Sequence, residues 1–193
     1  QFIDHIRNWL AKLQIEPRIR TLRRVILQPM QHRKLSATKI FDGYRFREDQ
    51  VLIVSEDGMI SDILPASEVE SDIEFYEGIL SPGLINCHCH LELSHMKARI
   101  PEGIGLVDFV YKVVTERNHD EEEMLKAIDE AEDEMLQNGI VAVGDICNNI
   151  ITLPQKQKSR LHYYNFIEAS GWLPSVSGVR FDHAKDLYDR FAP

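Results

Sequence analysis

The 193-residue sequence has no hydrophobic run that approaches the roughly 18 to 20 apolar residues needed to cross a membrane. Its first residues also lack the apolar stretch that characterises a secretory signal. Together these two absences predict a cytoplasmic protein that has no membrane as a partner.

Cysteine is also scarce, with three in the whole chain: Cys87, Cys89 and Cys147. An odd count that includes a pair two residues apart is typical of free thiols in a reducing compartment, not of a disulfide framework. This usage agrees with the expected cytoplasmic location.

Positive charge is deficient, since 22 lysine and arginine residues face 31 aspartates and glutamates, for a net charge of −9. The deficit is uneven along the chain. Residues 1–34 contain eight basic and two acidic residues, so the rest of the chain carries a net charge of −15. An acidic body of this kind argues against nucleic acid as a partner.

The basic N-terminal region contains one amphipathic segment, over residues 2–13, which Pro17 terminates. Its apolar residues recur at spacings of three and four, which predicts a helix. They are Phe2, Ile3, Ile6, Trp9, Leu10 and Leu13. Such a helix either covers the protein's own core or meets a partner groove, another copy or a membrane surface.

From residue 35 the chain changes to short apolar segments separated by turn signals. Asp42-Gly43 and Asp57-Gly58 favour the positive φ angles of tight turns between antiparallel strands. The predicted strands cover residues 35–41, 51–54 and 59–64. Residues 35–80 are therefore expected to form a small β segment.

From residue 81 onward, predicted strands alternate with predicted helices. The strands cover residues 77–90, 140–145 and 161–168, and the helices cover 120–138 and 182–191, with a further amphipathic face near residues 106–114. This alternation predicts an α/β fold with a parallel sheet and crossover helices. Functional residues are then expected at the C-terminal ends of the strands.

The most specific motif is Ser81-Pro-Gly-Leu-Ile-Asn-Cys-His-Cys-His-Leu-Glu-Leu-Ser94, an apolar strand that ends in two histidines. His88 and His90 are two residues apart, so a regular strand projects both imidazoles to one face and the two flanking cysteines to the other. Two neutral imidazoles on a rigid strand end can bind zinc or iron. The competing interpretation is a structural histidine pair.

These residues resemble the amidohydrolase superfamily. The resemblance runs from about residue 35 to the end of the chain and includes Pro82-Gly83, the histidine pair and the strand end at Asp145. It is strongest for the deaminase and chlorohydrolase branch. The continuation Leu91-Glu92-Leu93-Ser94 is similar to that of aminodeoxyfutalosine and adenosylhomocysteine deaminases.

The resemblance implies a (β/α)₈ barrel with a flanking β-sandwich. It implies that His88 and His90 bind a divalent metal, zinc or alternatively iron, together with ligands from later strands. A metal-activated water would then deaminate a small purine- or pyrimidine-like substrate hydrolytically. Another amidohydrolase reaction, on a cyclic amide or a carbon–chlorine bond, is the rival.

Length is where the chain departs from that family. Residues 81–193 number 113, whereas a whole barrel takes about 250. The expected organisation is a basic helical extension (1–34), a β-sandwich segment (35–80) and the first three βα units of an incomplete barrel (81–193). No catalytic acid or base is expected within this chain, which alone should be inactive. The alternative to an enzyme is a non-catalytic interaction module. A second copy of the chain, in a homo-oligomer, is a further expected partner.

Four acidic residues are further candidates. Glu116 and Glu168 are predicted to bind substrate, against a solvated helix-end carboxylate for the first and a structural ion pair for the second. Glu92 is expected either to hydrogen-bond a metal ligand and support it or to lie at the surface or in a loop. Asp145 is expected to cap a helix or to orient a neighbour.

Overall fold

The computed structural model describes residues 32–171 and 173–192. The helix predicted for residues 2–13 lies outside the described residues. The chain divides into two compact units with a boundary between Pro82 and Gly83, two residues beyond the predicted limit at residue 80. Within the described ranges, no helix combines the length and apolar character needed to cross a bilayer.

The first unit is a five-stranded sheet centred on β1. Its strands are β1 (Arg33–Phe41), β2 (Phe46–Arg47), β3 (Gln50–Val54), β4 (Ile60–Pro65) and β5 (Ile73–Leu80). β1 pairs antiparallel with β2 and β3, β3 pairs antiparallel with β4, and β5 lies parallel to β1. Ala37, Ile40 and Val51 form its buried apolar positions.

Turn chemistry explains why the strands of this unit begin and end where they do. Gly43 and Gly58 take φ angles of 96° and 81°, a region that costs other residues energy. Asp42 accepts hydrogen bonds from the backbone N–H groups of Tyr44 and Arg45, 2.9 Å each, which closes the first turn. The three strands predicted here are confirmed to within two residues at each end.

The second unit contains a parallel sheet in the order β6 (Leu84–Cys89), β7 (Ile140–Cys147) and β8 (His162–Ile167). A 3₁₀ helix (Leu91–Met96) follows β6 directly. The α-helices are α1 (Leu106–Glu116), α2 (Glu121–Gln137), α3 (Leu153–Lys156) and α4 (Pro174–Phe191). The expected α/β arrangement with a parallel sheet is confirmed, while closure into a (β/α)₈ barrel remains a prediction.

Helix α2 covers this sheet. Asp120 caps it by accepting from the N–H groups of Glu122 and Glu123, and Gly139, at φ 75°, ends it. The apolar side of α2 packs into the core of the unit. The buried members of that core are Leu91, Ile128, Met135, Val143 and Leu161.

Two predictions about elements are wrong. The strand predicted over residues 77–90 is two strands in separate sheets, β5 and β6, because the chain leaves the first sheet at Ser81-Pro82-Gly83. Helix α4 begins at Pro174, eight residues before the predicted start. The amphipathic helix expected near residues 106–114 is confirmed as α1, and no residue of this helix is buried.

Candidate metal centre

The two histidines of the motif lie at the C-terminal end of β6. His88 is within the strand and exposed, whereas His90 follows it directly and is half-buried. Their rings are edge to face, with 5.2 Å between the ring centroids. Two adjacent imidazoles suit zinc or iron chemically, but a protein zinc site uses three or four protein donors. In the parts of the chain that the structure describes, no group of three or more His, Cys, Asp or Glu side chains is placed to hold a metal.

A bulge at the end of β6 changes the expected alternation of side chains. The pairing of β6 with β7 shifts register between Asn86 and Cys89, and a bulge places an extra residue on one strand. As a result Cys87 and His88 both line one hollow, while Cys89 is half-buried and packs against the core. The prediction that the two cysteines share a face opposite the histidines is therefore wrong.

The hollow has a volume of about 380 Å³ and is open to solvent. It is lined by Cys87 and His88 of β6, Ile146 of β7, Phe166 of β8 and, just after β8, Glu168. Each strand of the sheet contributes from its C-terminal part. The structure thus brings the predicted metal ligand His88 and the predicted substrate-binding Glu168 to the same place.

Glu116 is placed differently. It is the last residue of α1, is exposed, and pairs with Lys112 one turn earlier, 3.4 Å from Nζ to Oε1. Such a solvated pair contributes little to stability. Glu116 does not line the hollow, so the structure does not bring it together with Glu168 there, and its role in substrate binding stays a prediction.

Asp145 is fully buried near the end of β7. Its Oδ1 accepts a hydrogen bond from the backbone N–H of Leu91, 2.8 Å away. Its Oδ2 lies 2.6 Å from the ammonium of Lys156. Two roles were expected for Asp145, capping a helix or orienting a neighbour. Its contacts fit the second role, because it holds the N–H of Leu91, the residue that directly follows His90.

Glu92 is equally buried, with 1% of its surface exposed. One carboxylate oxygen pairs with the guanidinium of Arg117. The other accepts from the backbone N–H groups of Asn148 and Asn149, at 2.9 and 3.2 Å. Burial raises the pKa of Glu92, while these N–H groups and Arg117 act in the opposite direction. The surface position considered for Glu92 is therefore wrong.

Sequence reasoning missed Lys156. Its ammonium donates to Asn165 Oδ1 at 2.6 Å and to Cys147 Sγ at 3.2 Å in addition to its pair with Asp145. Nothing in a sequence of polar residues such as 155–160 distinguishes this buried lysine from solvated ones. Ile146 and Phe166 were missed too, although their places near predicted strand ends were a usable signal.

The chain is similar to several solved structures but to no known family model. No family model matches the chain, and no curated protein matches it. Similar solved structures include Helicobacter pylori aminofutalosine deaminase, with 20% identity over 82% of this chain and 39% of that one and a TM-score of 0.54. Guanine deaminase from C. acetobutylicum has 15% identity over 83% of this chain and 43% of that one, also with a TM-score of 0.54. A putative prolidase from Bifidobacterium longum has 14% identity over 83% and 39%, with a TM-score of 0.51.

The likeness is one of fold. Each of these structures is 20% identical or less to the chain, so the comparison supports the arrangement of strands and helices and nothing finer. The chain spans about two fifths of the length of these solved enzymes.

Proposed function

We propose that the chain is part of a metal-dependent hydrolase of the amidohydrolase type, in which His88 and His90 bind a divalent metal, zinc or alternatively iron. The observation that carries the proposal is the placement of two neighbouring imidazoles at the C-terminal end of a parallel strand, with His88 lining an open hollow. In (β/α)₈ enzymes the active site occupies that end of the sheet. The proposal includes completion of such a barrel by further strands.

The bound metal would supply a water with its pKa lowered to about 7. The residues of this chain would hold the substrate beside it. Ile146 and Phe166 offer apolar contacts to a planar ring, and Glu168 offers a carboxylate that can accept a hydrogen bond from a ring or amine N–H. A metal ion and protons compete for the same imidazole nitrogens, so metal binding weakens at acid pH.

We favour hydrolytic deamination of a purine- or pyrimidine-like substrate, because two of the structures with this fold are described as deaminases, one of them with guanine in its active site. The putative prolidase of similar fold supports the second candidate, hydrolysis of an amide bond. A cytoplasmic location and a small-molecule partner belong to the same proposal.

Zinc titration of three purified proteins tests the metal site. In calorimetry the wild-type chain should bind zinc weakly but with measurable heat, since it supplies two donors, and His88→Ala/His90→Ala should lose that heat because both donors are gone. His162→Ala is the matched control, since His162 is exposed at the opposite, N-terminal end of β8. Zinc binding that is unchanged in the double variant would exclude the assignment.

The chain by itself should show no deaminase turnover, because the described residues bring only two histidine donors together at this site. Ammonia release from aminopurine nucleosides, measured with excess zinc present, should equal that of the double-alanine protein. Turnover that depends on His88 would contradict this expectation and would show that the site is sufficient.

A further inference from the structure

The backbone that follows His90 is held at two successive residues by buried carboxylates. The N–H of Leu91 donates to Asp145. The side chain of Glu92 accepts hydrogen bonds from the backbone N–H groups of Asn148 and Asn149. On the other side of His90, Cys89 pairs in register with Asp145. His90 therefore lies between fixed neighbours on both sides.

These fixed neighbours redirect the chain. His90 has φ −122° and ψ 72°, so the backbone leaves the strand direction at this residue and enters the 3₁₀ helix. Its imidazole nevertheless lies beside that of His88, with 5.2 Å between the ring centroids. A different ψ at His90 would turn Leu91 away from Asp145 and would change where the following residues pack.

Burying a carboxylate costs free energy, so two buried carboxylates beside His90 require a reason beyond filling space. Asp145 and Glu92 expose 0% and 1% of their surfaces, and each has one cationic partner, Lys156 and Arg117 respectively. A buried ion pair is often no more stabilising than apolar side chains of similar volume. Apolar side chains could therefore fill this space equally well. They could not accept hydrogen bonds from the backbone N–H groups of the two neighbouring loops, which need oxygen atoms.

We propose that Asp145 and Glu92 are positioning residues that fix the turn carrying His90, so that its imidazole is held beside His88 before a metal arrives. This inference rests on the proposed function. Neither carboxylate lines the hollow, and both act through backbone N–H groups, which distinguishes them from ligands. Supporting groups outside the ligand shell commonly change metal affinity by about 10- to 100-fold when they are removed.

Three variants separate positioning from stability. Asp145→Leu/Lys156→Met replaces the buried ion pair by apolar side chains, so it keeps the volume filled while it removes the acceptor of the Leu91 N–H. Glu92→Ala removes the acceptor shared by Asn148 and Asn149, and Glu92→Gln restores an uncharged one. Asp129→Asn is the control. It removes the charge of a half-exposed carboxylate on helix α2, which pairs with Lys158.

The measurements are the zinc dissociation constant, by calorimetry, and amide hydrogen exchange of the metal-free proteins. We expect zinc binding to weaken about 10- to 100-fold in Glu92→Ala and in the double variant, to recover in part in Glu92→Gln, and to be unchanged in Asp129→Asn. Exchange should become faster over residues 89–96 and 148–149 and stay at the wild-type rate in α2 and β8.

Each alternative outcome is decisive. Wild-type zinc affinity in folded Glu92→Ala and double-variant proteins would overturn the inference. Exchange that rises evenly across residues 83–171 would also overturn it, because it would show a general structural role. If the wild type binds no zinc, the proposed function fails, and the exchange pattern alone then decides whether the two carboxylates fix this turn.

Discussion

At the scale of single residues, the three cysteines differ in environment although two of them are neighbours in sequence. Cys87 is exposed and lines the hollow. Burial, with a smaller contribution from Asp145, raises the pKa of Cys89 to about 12, and burial raises the pKa of Cys147 to about 11. A thiol reacts through its thiolate, so the two buried thiols should be unreactive near neutral pH.

We therefore expect iodoacetamide at pH 8 to modify Cys87 first. Peptide mass spectrometry of the native protein should show a single carbamidomethyl group, on the peptide with Cys87, and Cys87→Ser should remain unmodified over the same period. After denaturation all three cysteines should react. Equal native labelling of Cys89 or Cys147 would contradict the burial described here.

His95 has an environment that disfavours its charged form. The ring is buried, Nε2 lies 3.0 Å from the carbonyl oxygen of Arg117, and Nδ1 has no hydrogen-bond partner. Burial lowers the pKa of His95, the carbonyl of Arg117 opposes this, and the charges of Arg99 and His119 add to the lowering. The folded state thus binds a proton on this ring less readily than the unfolded state does.

The sign of the pH effect follows from that difference. The contribution of neutral His95 to stability is complete above about pH 6.5 and is lost as the pH falls from there toward the lower folded pKa. The loss is roughly 1.4 kcal/mol for each unit between the two pKa values. Urea unfolding at pH 7.5 and 5.5 should show a smaller loss of unfolding free energy for His95→Gln than for the wild type. Equal losses would mean that His95 is not desolvated.

At the scale of elements, local signals were sufficient wherever a turn or cap residue decided the boundary. The Asp-Gly turns of the first sheet were predicted and observed, and Asp120 caps α2 where the predicted helix begins, because these residues act through their own backbone. Strand β5 and the early start of α4 were not predicted. β5 is parallel to β1, a partner some 40 residues away, and α4 contains Gly178, which weakens a helical pattern.

Strand β7 approaches β6 closely at Gly144. A Cβ built there would lie 2.8 Å from the carbonyl oxygen of Cys87 and 3.2 Å from the ring of Phe166. Gly144→Ala should therefore lower the free energy of unfolding by about 1–3 kcal/mol, because backbone has to move. Gly178→Ala, with no atom within 4 Å of its Cβ, should raise that energy by roughly 0.5–1 kcal/mol. Thermal melts of both variants give the comparison, and a neutral Gly144→Ala would show that the two strands can separate without cost.

At the scale of the whole molecule, a large part of the apolar surface is uncovered. Helix α1 has no buried residue. Its exposed apolar side chains are Leu106, Val107, Phe109, Val110, Tyr111 and Val114. Surfaces of this kind are typical of interaction sites or of aggregation-prone regions.

Polar substitutions on that helix should change association but not folding. Val107 and Val114, which are 81% and 62% exposed, should each tolerate replacement by lysine within about 0.5 kcal/mol. Val107→Lys/Val114→Lys should bind less of a hydrophobic fluorescent dye and should sediment at a lower mass if the wild type associates. A large loss of stability in this variant would show that α1 is packed in solution.

The candidate site could be predicted only in part, and chain separation explains the division. His88 and His90 were identified as candidates because both lie in one motif, and Glu168 because it ends a predicted strand. The contacts around Asp145 and Glu92 join residues 54 to 57 positions apart. No local pattern encodes such pairs, so only the folded chain shows them.

Those long separations also have a kinetic consequence. Contacts between distant residues form late, because the loop between them has to close first. We therefore expect the turn around His90 to be organised near the end of folding, after local helices such as α2 can already exist. A metal that requires this turn would have little to bind in the folding transition state. It would leave the folding rate almost unchanged and would instead slow the rate at which the native protein unfolds.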